Sequence, residues 1–229
     1  MNLARRPLLA LYDLGVRAGL LRYRRRWRLS PADWDIHYAD GRLDYYGQFW
    51  QFHRLEVLIG TIRAFPRKPR VLDIGCGSGT LRARIHDDYL AEYVGLDISE
   101  VAISAAKAQN FPKSRFIVGD RPGPGDGPFD IIAFTDMLFY VDDRTALFDA
   151  LKPQMAPDGW LVNVMYRHHG DTALMRELAR HFTLIDGINL KRNVAPKHKW
   201  NISAYGLQDV DAAAIRGTVL ADSVRLGPA

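Results

Sequence analysis

The segment Val71-Leu72-Asp73-Ile74-Gly75-Cys76-Gly77-Ser78-Gly79 constrains this chain more than any other. A short β-rich run ends at Asp73-Ile74 and passes directly into glycines spaced Gly-x-Gly-x-Gly, ahead of a stretch that reads as a helix. Glycine adopts left-handed backbone without penalty and lets a ligand approach the main chain, so a strand, turn and helix of this kind present N–H groups at the carboxyl edge of a sheet. The rhythm continues along the chain. Arg70 to Ile74, Tyr93 to Asp97, Arg115 to Val118, Phe129 to Phe134 and Trp160 to Tyr166 read as strands with helices between them. Such alternation predicts an α/β fold with a parallel sheet, helices on both faces and right-handed crossovers. Phe182 to Leu190 and Lys199 to Tyr205 are only eight residues apart, with Arg192, Asn193 and Pro196 between them. That gap is too short for a crossover helix, so these two strands are expected to be antiparallel.

A chain of 229 residues suits one α/β domain with a substantial core. No apolar run approaches the roughly 20 residues that would span a bilayer. The single cysteine, Cys76, allows no internal disulfide, and a cytoplasmic location is expected. Charge is uneven: residues 1–30 hold eight arginines against one acid, Asp13, a surplus of seven that leaves −2 for the rest of a chain whose total is +5. Residues 3–27 read as a helix with an apolar face at Leu8, Leu11, Tyr12, Leu14 and Leu21, followed by Arg22, Arg24, Arg25, Arg26 and Arg28. Asp13 and Arg17 interrupt the apolar stretch and no small-residue cleavage site follows, which argues against a signal peptide. The helix has three open fates: packing on the domain or on a second subunit in a homodimer, peripheral contact with an anionic membrane, or nucleic acid. The last ranks lowest, because a basic run without aromatic platforms or a recognition motif is a weak footprint.

Residues 30–46 are aromatic, polar and too irregular for a strand, and read as a lid. Helical spacing then follows over 47–64 at Phe49, Phe52, Leu55, Leu58, Ile59 and Ile62. The chain thus divides into a basic helix and lid (1–66), a central domain (67–206) and a C-terminal tail (207–229) that reads as a loose helix or disordered.

Spacing identifies the ligand of the glycine segment. A dinucleotide fingerprint is Gly-x-Gly-x-x-Gly, but here position 80 is Thr80 and the third glycine is Gly79. The carboxylate and amine of S-adenosylmethionine, which has no pyrophosphate, suit this tighter loop. Asp97 ends the second strand about 20 residues further on, where a carboxylate binds ribose hydroxyls; its alternative role, a helix cap, falls more naturally to Ser99. Asp120 follows the third strand, either facing an adenine amino group or lying in a solvated turn before the Pro/Gly-rich loop 121–128.

With these residues the chain resembles the class I, Rossmann-like S-adenosylmethionine-dependent methyltransferases from about Trp34 to Tyr205. The resemblance implies a seven-stranded sheet with a C-terminal antiparallel strand. It also implies cofactor contacts from Asp73, Gly75, Cys76, Gly77 and Gly79 to the methionine moiety, Asp97 and Ile98 to ribose and adenine, and Asp120 to the adenine edge. Thr135 would lie under the sulfonium end. Trp34-x-x-x-Tyr38-x-x-Gly41-x-x-Asp44-Tyr45, Met137-Leu138-Phe139-Tyr140 and Met165-Tyr166 are similar to small bacterial methyltransferases of glycan and natural-product pathways, and add Tyr38 to the cofactor contacts. That subgroup commonly has Asn-Glu where this chain has Thr135-Asp136.

A sulfonium methyl is electrophilic, so the protein has to align an acceptor behind it and exclude water. A hydroxyl acceptor benefits from a general base, for which Asp136, Tyr140 and His168, with His169, are the candidates. Each also has a structural reading: Asp136 as a helix cap, Tyr140 as core and the histidine pair as a solvated loop end. The seven histidines form no Cys/His framework and no metal is expected. Thr135-Asp136-Met137-Leu138 lacks the Asn/Asp-Pro-Pro-aromatic motif of enzymes that methylate nucleic-acid bases. The lid aromatics Trp34, Tyr38, Tyr45, Tyr46, Phe49 and Trp50, with His53, read as ordinary core, as a cover over a flat or sugar-like acceptor, or as both, and O-methylation of a sugar or natural product is the expectation. Alternatives are an N-methyltransferase, a non-catalytic cofactor-binding regulatory subunit and, against the glycine spacing, a nicotinamide dehydrogenase.

Overall fold

A computed structural model describes residues 29–123, 125–167, 171–193 and 198–216, with the side chains of 171 and 172 excepted. The basic helix expected at 3–27, His168, His169 and most of the C-terminal tail lie outside the described residues. Helix α1 (Pro31–Ala39) and helix α2 (Phe49–Arg63) precede the sheet, joined through a short 3-10 turn at Asp44–Gly47. The strands are β1 (Arg70–Ile74), β2 (Glu92–Asp97), β3 (Ser114–Val118), β4 (Phe129–Thr135), β5 (Met155–Tyr166), β6 (Thr183–Lys191) and β7 (Lys199–Gly206). Helix α3 (Glu100–Ala108) links β2 to β3, α4 (Arg144–Leu151) links β4 to β5, and α5 (Asp171–His181) links β5 to β6.

The sheet order is β3-β2-β1-β4-β5-β7-β6. β1 to β5 are mutually parallel, whereas β7 runs antiparallel to both β5 and β6. Alternation along each strand feeds two cores. Val71, Tyr93, Ile131 and Ala133 face α2 and α3, with Leu55, Leu58, Ile59, Ile62 and Ile103. Leu72, Ile74, Val94, Leu96, Ile132 and Phe134 face α4 and α5, with Leu147, Phe148, Leu174 and Leu178. Fully burying one such aliphatic side chain stabilises the fold by about 1.5–3 kcal/mol. Because β1 to β5 are parallel their carboxyl ends share one edge, and a crevice forms there between β1 and β4, where the strand order switches direction.

Two local expectations are corrected. The helix expected directly after Gly79 does not form: residues 82–84 and 87–89 make only two three-residue 3-10 turns between β1 and β2. Buried Arg82 is the physical reason. Its guanidinium donates to the carbonyls of Ile85 and Pro112 at 2.7 Å each and to Ser114 Oγ at 2.6 Å, and also contacts Asp87. These bonds turn the chain out of helix at Ile85, whose backbone is extended. Conversely, the lid is more regular than its composition suggests. Ser30 and Asp33 form a reciprocal capping box with Pro31 in the first turn of α1, and that Ser-Pro-x-Asp pattern is the start signal of the helix.

Candidate functional site

Three glycines shape the crevice, each with positive φ: Gly75 at 79°, Gly77 at 55° and Gly79 at 84°. A Cβ on Gly75 would stand 2.8 Å from Met137 Cβ, and one on Gly77 would stand 2.7 Å from the Tyr38 hydroxyl. The loop is therefore glycine both for its left-handed backbone and because the lid and the segment after β4 press on it. It is fastened to its neighbours: the N–H groups of Gly75 and Cys76 donate to the Leu96 carbonyl at 2.8 and 2.9 Å. Gly77 N–H donates to Asp97 Oδ2 at 2.9 Å.

The pocket above this loop is lined by Asp73 from β1, Thr135 from β4, Arg54 and Leu55 from α2, and Tyr38 and Tyr46 from the lid. Gly75, Cys76, Gly77, Ser78, Thr80 and Leu81 form its floor. Three buried polar atoms of this lining have no hydrogen-bond partner: Asp73 Oδ1, Thr135 Oγ1 and Arg54 Nη1. Unpaired groups of this kind each cost about 1–3 kcal/mol, so their convergence marks a place for a polar ligand. The donor set fits an amino acid in its zwitterionic form. A carboxylate oxygen awaits a cation, a hydroxyl at the end of β4 makes no hydrogen bond, and the guanidinium nitrogen near Asp136 has no aligned acceptor.

Electrostatics follow from burial. Asp73 is enclosed and its carboxyl is pushed up to about 7, mainly by lost solvation, while the Tyr93 hydroxyl donating to Oδ2 at 2.5 Å holds it lower and Asp97 raises it further. The hydroxyls of Tyr38 and Tyr46 are driven well above the usual phenol range by burial and then by nearby carboxylates, Asp97 and Asp136 respectively, so both remain donors. Burial likewise raises the Cys76 thiol.

The residues singled out from the sequence are distributed unevenly. Tyr38, Asp73, Gly75, Cys76, Gly77 and Thr135 meet in the pocket. Gly79 supports it from behind, where its φ of 84° favours glycine and a Cβ would fit tightly, 3.3 Å from Phe111. Asp97 holds the loop through Gly77 and accepts from Ser99 N–H at 3.0 Å, whereas Ser99 caps α3 by accepting from Ala102 N–H at 3.1 Å. Ile98 is half-buried beside it. Asp120 is exposed and pairs with its neighbour Arg121 at 3.1 Å. Asp136, at φ 53°, accepts from Tyr166 N–H at 2.5 Å through Oδ1, and its Oδ2 lies 3.1 Å from Arg54 Nη1, near enough for an ion pair but not aligned as a hydrogen bond. Tyr140 packs its ring edge-on to Trp34 at 4.7 Å.

Arg54 and the Ser78-Thr80-Leu81 side of the loop were not among the sequence candidates, and Tyr46, read there as a lid ring, lines this pocket. Arg54 carried a readable signal: it interrupts the apolar face of α2 between Gln51 and Leu55-Leu58, and a charge on a core stripe is a local violation of the kind found at functional sites. Among the described residues no group of three His, Cys, Asp or Glu could hold a metal ion, and no helix is long and apolar enough to cross a membrane.

Comparisons with known proteins agree with this geometry. The chain is 32% identical over 122 residues to the trans-aconitate 2-methyltransferase of Deinococcus radiodurans, covering 51% of this chain and 47% of that protein. It is 29% identical over 98 residues to the ubiquinone biosynthesis O-methyltransferase of Thiobacillus denitrificans, covering 40% and 42%. The chain thus spans less than half the length of these two curated relatives. Among solved structures, the Burkholderia thailandensis 1,6-didemethyltoxoflavin-N1-methyltransferase, crystallised with S-adenosylhomocysteine, shares the fold at a TM-score of 0.63 and 20% identity, over 78% of this chain and 87% of that one. A family profile described as a methyltransferase domain matches residues 49–201. The chain therefore belongs to the methyltransferase-domain family, built on the Rossmann-like fold of its S-adenosylmethionine-dependent class.

Proposed function

We propose that the chain transfers a methyl group from S-adenosylmethionine to an oxygen of a small molecule, a sugar or natural product. The observation that carries this reading is the convergence of Asp73 Oδ1, Thr135 Oγ1 and Arg54 Nη1, all buried and without a hydrogen bond, on a glycine-walled pocket. When bound, the cofactor supplies an electrophilic methyl on a sulfonium. Asp73 takes the ammonium of its amino-acid end, and Arg54 takes the carboxylate. Gly75, Cys76, Gly77 and Gly79 yield the space. Asp97 and Ile98 serve the ribose and adenine, Asp120 the adenine edge, and Thr135 the sulfonium side. Tyr38, protonated and pressed against Gly77, covers the loop and helps exclude water. Tyr140 and His168 are the candidates for accepting the acceptor's proton.

A second reading, methyl transfer to an amine, draws support from Asp136. The backbone N–H of Tyr166 and the Arg54 guanidinium engage its two oxygens, which commits it to holding α2 and β5, and an amine requires no base. Incubation with methyl-labelled S-adenosylmethionine and a panel of glycosides, hydroxylated metabolites and amines, followed by mass spectrometry, separates the two. Labelled ethers are expected. Label only in amines would overturn the oxygen assignment, and tight cofactor binding without turnover would point to a regulatory subunit.

A further inference from the structure

Helix α1 uses one face on the pocket and leaves the other open. On the inner side Trp34 packs on Tyr140, Asp35 accepts from the Ser99 hydroxyl, and Tyr38 lies against Gly77. Ala32, Ile36 and the cap residue Asp40 follow one another at the helical spacing of four, on the opposite side, and all are exposed, Ile36 to 57%. Asp33 borders the same side. Next to α1, α3 turns Val101, 38% exposed, and the exposed Ala105 and Ala108 outward, and Val101 N–H donates to Asp35 at 3.2 Å. Two adjacent helices thus present open apolar side chains bordered by acids. Over residues 30–47 the sequence holds four aspartates against one arginine.

The segment that precedes α1 has the complementary character. Residues 3–27, outside the described residues, read as a helix with leucines on one face, and residues 1–28 hold eight arginines against one acid. Only residues 28–30 separate that segment from Pro31, and Ser30 already caps α1. A three-residue link makes consecutive helices antiparallel neighbours, because it is too short to carry the first one elsewhere. Counting outward from the link sets Leu21 and Arg22 opposite Ile36, and Arg25 opposite Asp33. As a helix the segment measures about 37 Å against about 14 Å for α1, enough to span the whole open face. Exposed ion pairs contribute little, so the leucines supply the hold and the charges the orientation. An anionic membrane suits this face poorly, since the lid aspartates would meet charges of their own sign.

We propose that the outer face of α1, with the edge of α3, is the docking site of residues 3–27 of the same chain, which fold back as the second half of a helical hairpin. Leu21 covers Ile36, and the arginines before the link face Asp33 and Asp40. Because α1 carries Tyr38 on its other side, the docked segment braces the lid against the glycine loop. That bracing retains a cofactor rests on the function proposed above; the docking itself rests on the open face and the short link.

The test uses the full chain. Leu21→Cys combined with Ile36→Cys, oxidised with copper phenanthroline at low protein concentration, is expected to close an intrachain disulfide seen by mass spectrometry. Leu21→Cys combined with Ile188→Cys, an exposed position on β6, should not. Leu21→Asp and Ile36→Asp should each quicken hydrogen exchange over residues 31–40. Each should also weaken S-adenosylhomocysteine binding roughly threefold to tenfold, the scale of uncovering part of one aliphatic side chain. The double variant should be no weaker than either single one, because both remove the same contact. An interchain disulfide, additive losses, or wild-type exchange in Leu21→Asp overturns the proposal. So does cosedimentation with phosphatidylserine vesicles that requires Leu21 while the disulfide fails to form. A chain that closes the intrachain disulfide yet binds no S-adenosylhomocysteine keeps the hairpin and removes the methyltransferase reading alone.

Discussion

Arg54 and Asp136 form an ion pair closed off from solvent, with Nη1 and Oδ2 3.1 Å apart and side chains only 2% and 10% exposed. The pair ties α2 to the turn after β4, the two elements between which the reacting end of the cofactor would lie. Removing one partner leaves the other charge buried alone, and that is the costly case. Arg54→Met is expected to lower unfolding free energy by about 3–5 kcal/mol in urea denaturation. Adding Asp136→Asn should restore much of it, because Asn keeps an acceptor for Tyr166 N–H and tolerates the left-handed backbone at φ 53°. Equal losses in the single and double variants would refute the pairing.

Cofactor binding should depend on pH through Asp73, whose carboxyl is pushed up to about 7. An ammonium pairs with the ionised form, so below about pH 7 binding releases a proton, and affinity rises with pH and levels off above it. Without cofactor the sign reverses for stability. The folded state holds a proton that the unfolded state gives up near its ordinary value of 3.8, so this group's contribution falls as pH rises from about 4 to about 7. Calorimetry in buffers of different ionisation enthalpy measures the released proton. Asp73→Asn should abolish both dependences.

Gly77→Ala is expected to lose cofactor affinity for two separable reasons. The backbone at φ 55° costs an alanine about 1–2 kcal/mol, and the new methyl meets the Tyr38 hydroxyl at 2.7 Å. Tyr38→Phe deletes that oxygen and should rescue the second part only. Calorimetric titration of S-adenosylhomocysteine into both variants distinguishes partial from full or absent rescue.

Ser99 links the lid to the sheet. Its hydroxyl donates to Asp35 Oδ1 at 2.6 Å and accepts from Ala102 N–H, while Val101 N–H donates to the same Asp35 oxygen at 3.2 Å. Ser99→Ala should cost about 1 kcal/mol as a lost helix cap, seen in thermal unfolding. Asp35→Asn should leave α3 capped yet quicken hydrogen exchange over residues 31–47, because it weakens the bonds that the Ser99 hydroxyl and Val101 N–H donate to the Asp35 carboxylate, whose pKa the Ser99 bond lowers. Unchanged exchange would mean that α1 is held by other contacts.

Strand positions and directions were legible because they follow from local rules, whereas the order of strands across the sheet was not read. Alternation across Val71-Leu72 and Ile131-Ile132 sorts side chains to two cores, and the short link between β6 and β7 forbids a parallel return. The glycine loop was legible for the same reason, since its backbone angles demand glycine. What escaped depends on partners far away in sequence. Arg82 suppresses a helix by bonding to Pro112 and Ser114, and Arg54 enters the site only because α2 crosses the end of β4. The Arg82 contacts have no periodic signature, and Arg54 shows only as a charge that breaks the apolar stripe of α2, which does not say what it meets. The lid helix is the opposite case, a local capping box outweighed by an irregular aromatic composition.

The two 3-10 turns after Gly79 bear on which nucleotide this crevice will admit. A diphosphate is welcomed elsewhere by the partial positive charge that a full helix concentrates at its amino end. Three-residue turns sum too few aligned peptide dipoles to offer that field, and a buried carboxylate, Asp73, faces the same space. A crevice lined this way is expected to bind a nicotinamide dinucleotide more weakly than a ligand that ends in a zwitterion, and competitive titration of the two checks it.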